Sequence, residues 1–286
     1  QSTTCDTNTC TIKGLTNGKK YWFKVSQTNE LGSSESKESA DSTPDVVPEV
    51  MNAPTVKFGN GQLTVSWKPA VTRGSPIQEY SLVGNGPNAA TIAIKDPGQT
   101  STVVKGLTND KDYTFTIIAK NAKGWAANPS PASTPEHPTG PPNAPRDVNA
   151  KDSGQKDGGW IDINWQAPDM SGKKDPITGY EVFVISGGKR TSLGRTDANT
   201  RSMTWKQAVN EQKYTFVVKA SNRGPAPSAD SAPSNEVSAY GAPPTPVGAG
   251  ISAYNGTITF SRAPSNVEHV TKWRIQVFDA RNDKLV

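Results

Sequence analysis

Cysteine is nearly missing from this sequence. Cys5 and Cys10 are the only two among 286 residues, so most of any fold must stand without disulfides. Their spacing permits a bond that closes a small loop leading into a strand; two free thiols in a frayed terminus is the alternative. Histidine is as scarce: His137 lies in a proline-rich stretch and His269 opens a strand-like run. Nucleophilic catalysis needs a base beside the nucleophile, and no G-x-S-x-G elbow supplies the setting. Phosphate-binding and dinucleotide glycine motifs are absent, as is any Asp-rich loop with calcium spacing. Two His and two Cys far apart do not make a zinc site, and Asp152 and Asp157 read as solvated turn residues. The expectation is therefore no catalytic residue, no metal and no cofactor.

Other absences bound the setting. No run of eighteen apolar residues offers a membrane-spanning helix. The formal net charge is +5, with signs interleaved and no block of five or six like charges, which gives a mildly basic surface rather than a nucleic-acid stripe. The chain begins at Gln1 with no basic, hydrophobic and small-residue leader, and reads as a soluble, processed or excised piece.

What is abundant is turn chemistry. With 23 Pro, 25 Gly and a hydrophobic fraction of 33%, many short strands joined by turns fit better than helices. Comparing the chain with itself shows a repeat near one hundred residues. GLTNGKKYWFKVSQTNELG (14–32) aligns with GLTNDKDYTFTIIAKNAKG (106–124) and, more loosely, with AVNEQKYTFVVKASNRG (208–224). Tyr21, Phe23 and Val25, like Tyr113, Phe115 and Ile117, alternate with their neighbours at period two, which predicts one buried and one wet face. Upstream, LTVSWKP (63–69), IDINWQAP (161–168) and ITFSRAP (258–264) form a second set. PIQEYSLVG (76–84), PITGYEVFVIS (176–186) and HVTKWRIQVFD (269–279) form a third, with Tyr80, Tyr180 and Trp273 equivalent.

These three coordinated motifs resemble the fibronectin type III repeat: a Trp on the second strand, then a turn Leu before a Tyr that opens the sixth. The resemblance implies an all-β fold of tandem fibronectin type III, immunoglobulin-like β-sandwiches. It makes Trp67 and Trp165 core residues, and Tyr21, Tyr113 and Tyr214 tyrosine-corner residues whose hydroxyls bond backbone across the turn. Two departures stand out: Phe260 replaces the Trp in the last unit, and Ala208 or Val209 replaces the turn Leu in the third.

Proline-rich joints at 46–54, 134–145 and 241–246 divide the units and favour an extended array. The boundaries follow: 1–47 the C-terminal half of a module, 48–139 and 140–242 complete modules, 243–286 an N-terminal half. The two halves are complementary in register, so an expectation is that they complete one sandwich, by head-to-tail self-association between chains or, if the joints bend enough, within one chain; cutting at a loop is the alternative. Asn255-Gly256-Thr257 matches a glycosylation acceptor, but Asn-Gly between strand-like runs reads first as a hairpin turn.

Binding should use loops and outward faces. The candidates are Trp125 in the loop after the sixth strand, Trp22 on an outward phase with Lys20 and Lys24, and Arg190, Arg195 and Arg223. Set against them are a Trp capping the sandwich end or packing on a neighbour, and a merely solvated basic face. The resemblance implies a non-catalytic extracellular or cell-surface array engaging a protein partner, host or surface protein, with a glycan as a further class and neither nucleic acid nor membrane insertion. Sparse cysteine and Gly-, Asn- and Thr-rich turns look bacterial. A cytokine-like ligand rests on fold analogy, with APSADSAPS (226–234) where a receptor motif would fall. The alternative is a structural spacer between catalytic or carbohydrate-binding domains of a secreted enzyme.

Overall fold

A computed structural model describes residues 3–5, 7–242, 249–255, 257–262, 274, 276, 278–279, 281 and 284–285. Near the N-terminus, β1 (Ser26–Asn29) and β2 (Gly32–Glu35) form an exposed antiparallel hairpin. Here the structure departs from the alternating pattern: Tyr21 and Phe23 are only half-buried and Val25 is 70% exposed. Burial of one strand face needs a second sheet opposite it, and none lies over these residues among those described.

The first sandwich comprises β3 (Thr55–Gly59), β4 (Gln62–Ser66), β5 (Glu79–Asn85), β6 (Thr91–Ile94), β7 (Ser101–Lys105), β8 (Thr114–Asn121) and β9 (Gly124–Trp125). One sheet runs β3-β4-β7 and the other β6-β5-β8-β9, with every pairing antiparallel. Period-two residues Leu63 and Val65 from β4, Tyr80 and Leu82 from β5, and Phe115 and Ile117 from β8 are buried together with Trp67. Each such aliphatic side chain contributes about 1.5–3 kcal/mol.

The second sandwich repeats the plan with β10 (Arg146–Asp152), β11 (Ile161–Gln166), β12 (Gly179–Ser186), β13 (Lys189–Asp197), β14 (Ser202–Trp205) and β15 (Thr215–Ser221), as sheets β10-β11-β14 and β13-β12-β15. Trp165 lies edge-on to Tyr180, ring centroids 5.6 Å apart, as Trp67 tilts against Tyr80 at 5.8 Å. The main difference is β13, nine residues against four in β6. Gly187 and Gly188, both at positive φ, close β12 onto β13 as a two-residue turn that matches the strand twist. Asp152, expected in a solvated turn, instead ends β10 with Oδ1 shielded and unpartnered.

Further on, β16 (Ala249–Tyr254) and β17 (Thr257–Arg262) pair with Tyr254 opposite Thr257. Asn255 at φ 50° makes the turn expected of Asn-Gly. Two short segments, β18 (Phe278–Asp279) and β19 (Lys284–Leu285), pair near the C-terminus. His269 and Trp273 lie outside the described residues.

Two backbone devices recur in all three N-terminal units. The N–H groups of Thr16, Thr108 and Val209 each donate to the hydroxyl of Tyr21, Tyr113 and Tyr214 at 2.9 Å, forming the tyrosine corner. This alignment makes Ala208 the equivalent of Leu107: each N–H reaches the carbonyl of a first-turn glycine, Gly159 and Gly61. The second device replaces a last strand by a serine ladder. Ser130 and Ser133 accept the N–H groups of Ile117 and Phe115 at 3.0 Å, while their own N–H groups donate to the same residues' carbonyls. Ser228, Ser231 and Ser234 do the same along β15, and Ser36 and Ser39 at Val25 and Phe23. Each hydroxyl also donates to the next residue's carbonyl, so these polar groups carry no desolvation debt. The serines of APSADSAPS are therefore part of the sandwich edge.

Candidate functional site

The densest polar constellation is the joint between the sandwiches. The turn after β15 carries Asn222 and Arg223 to the linker 136–140. Asn222 Nδ2 donates to the Gly140 carbonyl at 3.0 Å. Arg223 donates to Glu136 Oε1 at 2.8 Å, pairs with Asp175 Oδ1 at 2.6 Å, and reaches Thr139 Oγ1 at 3.1 Å. Its guanidinium lies 4.2 Å from the Phe58 ring centre on the first sandwich, a stacking that suits a weakly hydrated planar cation. His137 Nε2 lies 3.2 Å from Asp175 Oδ2, and Thr139 donates to that oxygen at 2.7 Å. Asp175 is 6% exposed but well partnered, as a buried carboxylate must be. At the rim, the Lys174 N–H donates to Asp110 and its ammonium to Asp112.

Electrostatics follow from these contacts. Burial works against the charge on Glu136, but the hydrogen bonds from Arg223 and the His137 N–H outweigh it and hold the carboxyl below its ordinary range. Lys174 does the same for Asp112.

The preceding joint uses the same frame with the polarity exchanged. Asn121, at the end of β8 as Asn222 follows β15, donates to the Val46 carbonyl at 2.7 Å. Asp45 on the linker accepts the Ser75 N–H at 2.6 Å and its hydroxyl at 2.8 Å, where the second joint has Thr139 on the linker and Asp175 on the loop. Those bonds lower the Asp45 pKa. Gly74 makes the approach feasible, since a Cβ there would collide with the Asp45 carboxylate and come within 2.7 Å of the Val46 carbonyl.

The other candidates fall on separate surfaces. Trp22 is 53% exposed with Lys24 over its ring at 5.8 Å, and Lys24 and Lys20 face Glu38 and Asp41 at 3.8 Å. Trp125 is 39% exposed in β9, with Lys120 5.4 Å from its ring centre. Arg190 stacks on Phe183 and pairs with Asp230 at 2.8 Å, and Arg195 meets Glu181 at 3.3 Å. Arg223, expected on a solvated basic face or as an acidic-partner contact, is instead consumed by the joint. Cys5 and Cys10 are disulfide-bonded, with Cα atoms 5.7 Å apart. Sequence reasoning missed Asp175, Glu136 and the serine ladder; the recurring Ser at every third residue after each sixth strand was the available signal.

Residues 50–136 match the family model of the fibronectin type III domain. The second sandwich repeats that segment's sheet order apart from β9, with matching register where β11 pairs with β14 and β12 with β15, so the fold is all-β, in tandem fibronectin type III sandwiches. Neogenin of Rattus norvegicus is 26% identical over 192 residues, covering 65% of this chain and 14% of neogenin. Chitinase A1 of Niallia circulans is 32% identical over 219 residues, covering 73% of this chain and 29% of the chitinase. The chain thus spans less than a third of these curated relatives, which come from an animal and a bacterium alike. The solved chicken CNTN1 FN1–FN3 domains align over 85% of this chain and 76% of that one, with TM-score 0.44 and 17% identity.

Proposed function

We propose that this chain is a non-catalytic, extracellular array of fibronectin type III modules, divided at residues 47, 139 and 242, that engages a protein partner while holding its modules at a set angle. The observation that carries the reading is the Arg223 joint. A flexible tether has no use for a guanidinium that joins Glu136 and Asp175 and stacks on Phe58. Fixed geometry lets two modules present loops and sheet edges together, lowering the ordering cost of binding. The Cys5–Cys10 disulfide supports an oxidising compartment. A spacer within a secreted enzyme is the second reading, favoured by the similarity to chitinase A1.

The test is inter-module orientation by residual dipolar couplings, with small-angle scattering and light-scattering mass, on the full chain. One alignment frame is expected for both sandwiches in the wild type and two in Arg223→Ala. Independent tumbling of the wild-type sandwiches defeats the reading, and a growing oligomer reports head-to-tail pairing of the end segments.

A further inference from the structure

The second sandwich has an open flank. Among the described residues, strand β13 pairs with β12 on one side and with nothing on the other, and β14 pairs only with β11. Between these two free edges runs a groove of about 550 Å³, within the size range of ligand sites. Val184, Leu193, Trp205 and Tyr214 contribute its apolar lining. Trp205 stands edge-on to Tyr214 at 4.9 Å and to Phe216 at 6.0 Å, which fixes its ring while leaving it half-exposed. Lys189 and Lys206 supply charge at the rim, and no carboxylate is among the lining residues. Lys206 sits 4.2 Å from the Trp160 ring centre, and among the described residues neither lysine has an acidic partner. The neighbouring acids are occupied: Asp162 accepts from Thr204, Glu181 from Ser192 and Arg195.

We infer that this groove binds an extended acidic polypeptide segment of a partner, which adds to a free strand edge and sets alternate apolar side chains against Trp205. The inference rests on the protein-partner reading above. Unpaired backbone donors and acceptors on both edges suit a peptide, whose main chain completes a ladder. The positive rim suits carboxylates on the alternate, outward positions.

Panning random dodecapeptides displayed on phage against the intact chain tests this. The expected consensus alternates Asp or Glu with apolar residues, and the synthetic consensus peptide should quench or shift Trp emission. Its affinity should fall about tenfold or more in the double variant Lys189→Glu/Lys206→Glu, with Tm unchanged. Selected peptides that bind the double variant equally well overturn the groove but leave the protein-partner reading standing. Selection of no peptide, with heparin octasaccharide bound instead, overturns both.

Discussion

In the first sandwich Leu107 fills the turn before the corner tyrosine and Val104 is buried on β7; in the second, Ala208 and Trp205 take those places. Bulk lost at the turn returns at the strand end, where Trp205 rests on Tyr214 and Phe216. The pairing of β4 with β7 and that of β11 with β14 keep the same register. Among the described residues both sandwiches end in free strands at this flank, β6 and β7 in the first and β13 and β14 in the second; what differs is the Trp205 ring and the longer β13.

The largest effect should show what the sandwiches share. Trp67→Ala and Trp165→Ala each empty a core ring position and should cost about 3–5 kcal/mol. In calorimetry each should lower one transition alone; movement of both transitions by either variant breaks the picture of independent cores. Next come the ladders. Ser130→Ala and Ser231→Ala leave the N–H of Ile117 or Val218 without its acceptor, at about 2 kcal/mol each by chemical denaturation. A cost confined to one sandwich refutes their equivalence.

The coupling between turn and strand end is sharpened by Ala208→Leu, which should crowd Trp205 and cost about 1 kcal/mol or more. Adding Trp205→Val should recover that loss. A double variant no more stable than the single one removes the argument for volume exchange. The smallest effect separates the joints. Asp112 and Glu136 have folded pKa values below their unfolded ones, so their contribution is whole above the usual carboxylate range and fades as pH falls through the lowered values, below about pH 4. Asp45 shares that sign. Molar salt, by contrast, should loosen only the joint held by cations, read as diverging alignment of the two sandwiches.

Much of the frame was legible because it is periodic. Alternation placed Leu63, Val65 and Trp67 on one face, and the spacing of Tyr113 and Tyr214 after their turns located the corners. Three features escaped for different physical reasons. Val25 follows the buried phase, yet burial belongs to the opposing sheet rather than to the strand. Serines at period three look like turn filler until β15 supplies N–H groups to them. Arg223 and Glu136 lie 87 residues apart, and nothing periodic relates them; its position beside a strand end read as exposure. Trp22 sits outward beside Lys24 as its phase predicts, whereas the lysine over Trp125, Lys120, becomes visible only in three dimensions.

The exchanged polarity of the two joints bears on how such arrays can be rearranged. One module receives an acidic linker against a hydroxyl loop, Asp45 on Ser75; the next receives a hydroxyl linker against an acidic loop, Thr139 on Asp175. Transposing the modules without their linkers sets carboxylate against carboxylate at one seam and hydroxyl against hydroxyl at the other. Each module therefore keeps its seam only when the linker that precedes it travels with it, which makes the units a set of matched seams rather than interchangeable beads.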